Sequence, residues 1–124
     1  MKWLWILGFG VLGVFLRYIL SVYIQMRWPS FLPVPTFLIN VLGCFVMGIV
    51  YAFGVEKGQV SDELRMGVMV GLLGGFTTFS SYSLEVVQLI QASLFLHAGM
   101  YVVLSQIFGL GATALGIYLT RLIF

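Results

Sequence analysis

The sequence predicts an all-α integral membrane protein with four transmembrane helices. Three observations predict it. Of the 124 residues, 61% are hydrophobic and only 8% are charged, whereas a soluble domain is about 45–50% apolar and about 25% charged. The charges are confined: residues 28–55, 66–84 and 86–120 carry none. Four helices of about 20 residues each, the length a bilayer core requires, fit the chain and leave only short loops. The same figures exclude a soluble globule and a disordered chain. A net charge of +2 is too small a field to attract a nucleic acid. A single cysteine excludes a disulfide framework and a cysteine-ligated metal.

The chain reads as one membrane domain, residues 1–124, with spans at about 3–23, 35–53, 64–88 and 98–123. The first span opens after Lys2. A signal peptide is the alternative there, but Arg17-Tyr18 stands where a small-residue cleavage site would be. Trp3, Trp5 and Trp28 fall near span ends, where amphipathic rings anchor helices. The loop RWPSFLPVP holds all three prolines, Pro29, Pro33 and Pro35, which end one helix and start the next. The stretch EKGQVSDELR, Glu56 to Arg65, is the densest in charge and must face water. The loop in QLIQASLFLH is only mildly polar and gives the weakest boundary. With four spans, Lys2, Lys57, Arg65 and Arg121 share one side against Arg27, and Arg17 if it reaches the interface. This bias mildly favours cytoplasmic termini and is small enough to allow both orientations.

Helix packing in lipid relies on small residues that let backbones approach. Gly67, Gly71 and Gly75 form one stripe of the third span. Gly109, Ala112 and Gly116 do so in the fourth, and Gly43, Cys44 and Gly48 in the second. Gly8, Gly10 and Gly13 spell G-x-G-x-x-G, but no strand precedes them and no carboxylate follows at ribose spacing, so they also read as a packing face. His97 has no second ligand nearby and reads as a loop or interface residue.

Polar residues at membrane depth are candidates for function. GLLGGFTTFSSYSLE, Gly71 to Glu85, places Thr77, Thr78, Ser80, Ser81, Tyr82 and Ser83 behind two adjacent glycines. Two readings stay open on composition: a helix broken at Gly74-Gly75, or an intact helix whose hydroxyls bond back to its own carbonyls. Phe79 and Tyr82 share a face, and aromatic ring edges carry partial positive charge that suits a small anion. Asn40 offers an amide donor or an interhelical bond. Tyr101, Ser105 and Thr113 lie close to one stripe of the fourth span. Arg17 either snorkels to the interface or draws anions into a vestibule. Glu85 is the only carboxylate within a span, and no catalytic constellation emerges. Transport is the function these residues suggest. A small proton-coupled exporter of organic cations is the competing class, disfavoured because residues 3–23 contain no carboxylate.

Three motifs carry a resemblance to a known family: GVLGVFLRY from Gly10, PTFLINVLGCFVMG from Pro35, and GGFTTFSSYSLE from Gly74. In order and over the whole chain, they resemble the Fluc (CrcB) fluoride channels. The resemblance implies a passive channel that exports fluoride from the cytoplasm through the inner (plasma) membrane. It implies an antiparallel, dual-topology dimer with two pores and a third helix broken at Gly74-Gly75. A structural sodium ion would sit at the centre, held by the backbone carbonyls of Gly74 and Thr77. The implied fluoride pathway takes in Asn40, Phe79, Tyr82, Ser81, Thr78, Tyr101, Ser105, Glu85 and Arg17. The implied partners are fluoride, membrane lipid and a second copy of this chain or a homologous subunit, with no nucleic acid. A non-conducting subunit of a heterodimer is a further alternative. Two departures stand out: Tyr82 where phenylalanine is usual, and Val14 where alanine is common.

Overall fold

The computed structural model describes residues 1–124, and every regular element in it is helical. Helix α1 runs over Lys2–Arg27 and ends at Trp28, just before the proline loop. Helix α2 covers Val34–Val50, with Pro35 in its first turn, where the missing N–H costs nothing. It continues into a π-helical segment, Tyr51–Glu56. The stretch expected to form the third span is assembled from pieces. Helix α3 (Asp62–Met66) is capped by Ser61, whose hydroxyl accepts from the Leu64 N–H, and places Asp62 and Glu63 in its first turn. A π-helical segment, Gly67–Leu73, and a single turn, α4 (Gly74–Phe76), follow. Helix α5 is Phe79–Gln91 and helix α6 is Phe95–Ile123.

Three helical stretches are long and apolar enough to cross a membrane: Lys2–Arg27, Val34–Glu56 and Phe95–Ile123. The first extends beyond the expected 3–23 to take in Lys2 and Arg27, because a charge at a helix end does not stop a helix, and the last begins three residues before the expected 98, at Phe95. The expected 64–88 span is no single helix. Gly74 and Gly75 are both helical, so the break does not lie where two adjacent glycines suggested. The backbone leaves the helix at Thr77 (φ −84°, ψ 159°) and Thr78 (φ −148°, ψ 123°). The physical reason is side-chain competition for backbone groups rather than glycine's low helix propensity. The α5–α6 connection is also tighter than expected. Ser93 adopts a left-handed φ of 62°, and the chain reverses within Ala92–Leu94.

The small residues bring the helices together. Helix α1 packs along the Gly67–Leu73 segment and α4, and α2 packs along α6. A methyl placed on Gly71 would lie 2.6 Å from the Ile6 carbonyl oxygen and 3.0 Å from the Gly10 nitrogen; one on Gly13 would strike the Leu72 backbone. Gly10 and Gly13 of the dinucleotide-like motif are therefore packing residues, while nothing approaches Gly8 within 4 Å. Gly48 faces the Thr113 carbonyl and Gly116 the Phe45 carbonyl, so α2 and α6 run parallel. Two small clusters supply the core: Ile24, Ile39 and Phe76, and Leu89, Ala98 and Tyr101. Only 18 of 124 residues are buried. The large apolar side chains left exposed, such as Trp3, Val11, Leu110 and Ile123, suit a chain whose solvent is lipid. At one exposed end of the helices, the Arg121 guanidinium forms a two-point pair with Glu56, and the Phe53 and Phe124 rings meet edge to face at 5.3 Å.

Candidate functional site

The site is built around the two extended residues Thr77 and Thr78. Thr77 closes the turn before them: its N–H and its hydroxyl both donate to the Leu73 carbonyl, at 3.0 and 2.9 Å. Asn40 reaches across from α2 and takes over the next peptide. Its Nδ2 donates to the Thr78 carbonyl at 2.9 Å, and its Oδ1 accepts from the Thr78 N–H at 2.8 Å. The amide thus reproduces a strand-like pairing for one residue, and interrupted backbone at this depth must find such partners. One Nδ2–H of Asn40 remains for another acceptor. Thr78 then caps α5, its hydroxyl accepting from the Ser81 N–H at 3.2 Å. The Arg17 Nε donates to the Gly75 carbonyl at 3.1 Å. Arg17 therefore fastens the last turn before the break instead of standing free.

These bonds release two carbonyls. The Thr78 N–H, which would close a helical turn on Gly74, goes to Asn40; the Ser81 N–H, which would close one on Thr77, goes to the Thr78 hydroxyl. Gly74 and Thr77 each keep a carbonyl oxygen without its helical donor. Oxygen-only donors of this kind suit a hard cation.

A groove of about 320 Å³ opens beside the break. Asn40, Thr77, Thr78, Phe79, Tyr82 and Ser105 all line it. The Phe79 and Tyr82 ring centroids are 5.6 Å apart at 51°, with Phe79 73% exposed. Tyr82 in turn meets Tyr101 edge to face at 5.1 Å. The Ser105 hydroxyl is buried without a hydrogen-bond partner.

The remaining expected residues lie elsewhere. Glu85 sits two helical turns beyond the break and is held at both oxygens: the Thr36 hydroxyl donates to one and the Tyr101 hydroxyl to the other, each at 2.9 Å. Glu85 and Tyr101 thus form a separate polar cluster below Tyr82, and neither lines the groove. Ser81 contributes its backbone to the cap but not its side chain to the groove. His97 packs its ring near Phe31 at 6.0 Å.

A family model described as CrcB-like protein, Camphor Resistance (CrcB), matches residues 4–117. The chain belongs to the CrcB family. It is 39% identical over 113 residues, 91% of each chain, to the fluoride-specific ion channel FluC of Pseudomonas fluorescens strain Pf-5. It is 37% identical over 122 residues to the fluoride-specific ion channel FluC 1 of Moorella thermoacetica, covering 98% of this chain and 87% of that one. A third relative, the fluoride-specific ion channel FluC of Roseiflexus sp. strain RS-1, is 38% identical over 114 residues, 92% of each chain. This CrcB-family chain is a multi-pass membrane protein of an ion-channel family and not an enzyme. The exporter class weighed on composition is thereby set aside.

Sequence reasoning missed three residues in this CrcB-family chain. Thr36, the second donor to Glu85, has no signal in the sequence beyond a threonine that follows a proline. Cys44 read as pure packing yet lies on the groove wall. Gln106 also lines the groove; its signal was a lone amide in an otherwise apolar stretch, one position off the Tyr101–Ser105 stripe.

Proposed function

We propose that this chain is one subunit of a passive, fluoride-selective channel that lets fluoride leave the cytoplasm across the inner (plasma) membrane. The observation that carries the reading is the groove at the interrupted third span, lined by neutral donors and ring edges. Its sequence neighbourhood matches relatives named as fluoride-specific ion channels. Fluoride is small and strongly hydrated, so a selective path must replace its water with donors spaced for a small ion. The free Nδ2–H of Asn40, the Thr78 and Ser105 hydroxyls and the edges of Phe79 and Tyr82 are among the groups available. No ionised side chain lines the groove, so a dehydrated anion is neither repelled by a carboxylate nor trapped by a guanidinium.

The domain is one four-span unit, with the pieces from Asp62 to Gln91 forming the third crossing. The groove is open along one side, and a second copy of the chain is needed to close it. An antiparallel copy would bring two breaks together near the midplane and enclose two pathways. The freed carbonyls of Gly74 and Thr77 would then hold a sodium ion, whose charge offsets the oxygens gathered there. Arg17, bonded to the Gly75 carbonyl, and Asn40, bonded to the Thr78 peptide, hold the backbone next to those carbonyls. Glu85, with Thr36, Tyr101 and Ser81, continues the polar route from the groove toward water.

The test is ion release from liposomes containing the purified chain alone. With a potassium ionophore present, vesicles loaded with potassium fluoride should empty, and vesicles loaded with potassium chloride should hold their contents. Retention of fluoride would overturn the reading. Recovery of flux only when a homologous second chain is added would assign this chain to a heterodimer.

A further inference from the structure

We infer that Gln106 is a selectivity-determining residue that donates its side-chain amide to the permeating anion, level with Asn40. The inference rests on the channel reading and adds a residue to the path.

Gln106 lies 11 residues into α6, about 16 Å from its start at 1.5 Å per residue, near the middle of a core about 30 Å thick. Because α2 and α6 run parallel, with Cys44 beside Gly109 and Gly48 beside Thr113, Asn40 comes level with Ser105 and Gln106. All three line the same groove.

A carboxamide at this depth cannot face acyl chains without losing its hydrogen bonds. Two of the polar side chains that share the groove already hold partners within the chain. Asn40 is paired with the Thr78 peptide, and the Thr113 hydroxyl donates to the Gly109 carbonyl at 3.2 Å. The Gln106 amide takes part in none of these bonds and is exposed to the groove. Beside it the Ser105 hydroxyl is buried and equally without a partner. Two adjacent residues on one helix therefore present unpaired donors at the level where Asn40 has only one N–H left. A small anion shedding its water there needs several donors at once, and the two amide N–H groups of Gln106 are the largest uncommitted supply. Chloride, being larger, meets them at a poorer fit.

The experiment compares fluoride efflux from liposomes containing wild type, Gln106→Leu or Gln106→Glu, with the dimer checked by cross-linking in the same membranes. Leucine fills the space without donating, and glutamate keeps the shape while turning donors into a charge. Both variants should remain dimeric and lose at least about tenfold in rate, a step worth ~1.4 kcal/mol. A smaller loss in either variant, beside an active wild type, would overturn the role of Gln106 alone. Loss of the dimer in Gln106→Leu would overturn it too, by making the amide a contact between subunits. A silent wild type would overturn the channel reading and this inference together.

Discussion

At the residue scale, Asn40 does two jobs that its position in an apolar run did not separate. It offers a donor to the groove, and it holds the Thr78 peptide by both its N–H and its carbonyl. Asn40→Ala leaves both groups without partners, and each unsatisfied buried polar group costs about 1–3 kcal/mol. Melting of the detergent-solubilised protein should shift clearly downward. Tyr82 is a milder case. Its ring is fixed by Phe79 and Tyr101, and a phenylalanine keeps the same edges. Tyr82→Phe should retain fluoride flux within about threefold of wild type, a difference below 1 kcal/mol. A larger fall would show that the hydroxyl itself takes part. The hydroxyl cluster and Asn40 were legible in the sequence because polar residues stand out against an apolar run. Thr36 and Gln106 were not, since each gains meaning only from what the fold brings opposite: Glu85 for one, the groove for the other.

At the element scale, the interrupted span shows what local propensity misses. Gly74 and Gly75 look like breakers, yet both stay helical, and the helix gives way two residues later. The cause is nonlocal. Asn40, on a different helix, offers Thr78 a better pairing than continued helix, and Thr78 offers Ser81 a cap. No window of sequence around residue 75 contains Asn40. The glycine stripes were legible, because small residues at four-residue spacing have one use in lipid, but which glycines bear contact depends on the fold. Gly71 is pressed against backbone that cannot yield, whereas nothing approaches Gly8. Gly71→Ala should therefore destabilise the subunit by about 1–3 kcal/mol, read as a fall in melting temperature. Gly8→Ala should leave it unchanged or slightly raised.

At the scale of the whole molecule, fold class and family were legible from composition, charge-free stretches and three motifs, and the assembly was only implied by them. The chain presents a groove open on one side, two carbonyls stripped of helical donors, and a surface largely apolar. The sodium ion proposed for those carbonyls would make the channel salt-specific. Purification and reconstitution in potassium salts free of sodium should depress fluoride flux, and returning sodium should restore it; indifference to sodium would remove the ion from the account. The central claim is that fluoride passes through the groove beside Asn40. Parallel efflux traces from liposomes containing wild type and Asn40→Asp test it most directly. The aspartate can still accept from the Thr78 N–H, but it cannot donate and brings a negative charge into the path. The account predicts rapid fluoride release through wild type and release at the level of empty vesicles through Asn40→Asp. Equal release through both would contradict it.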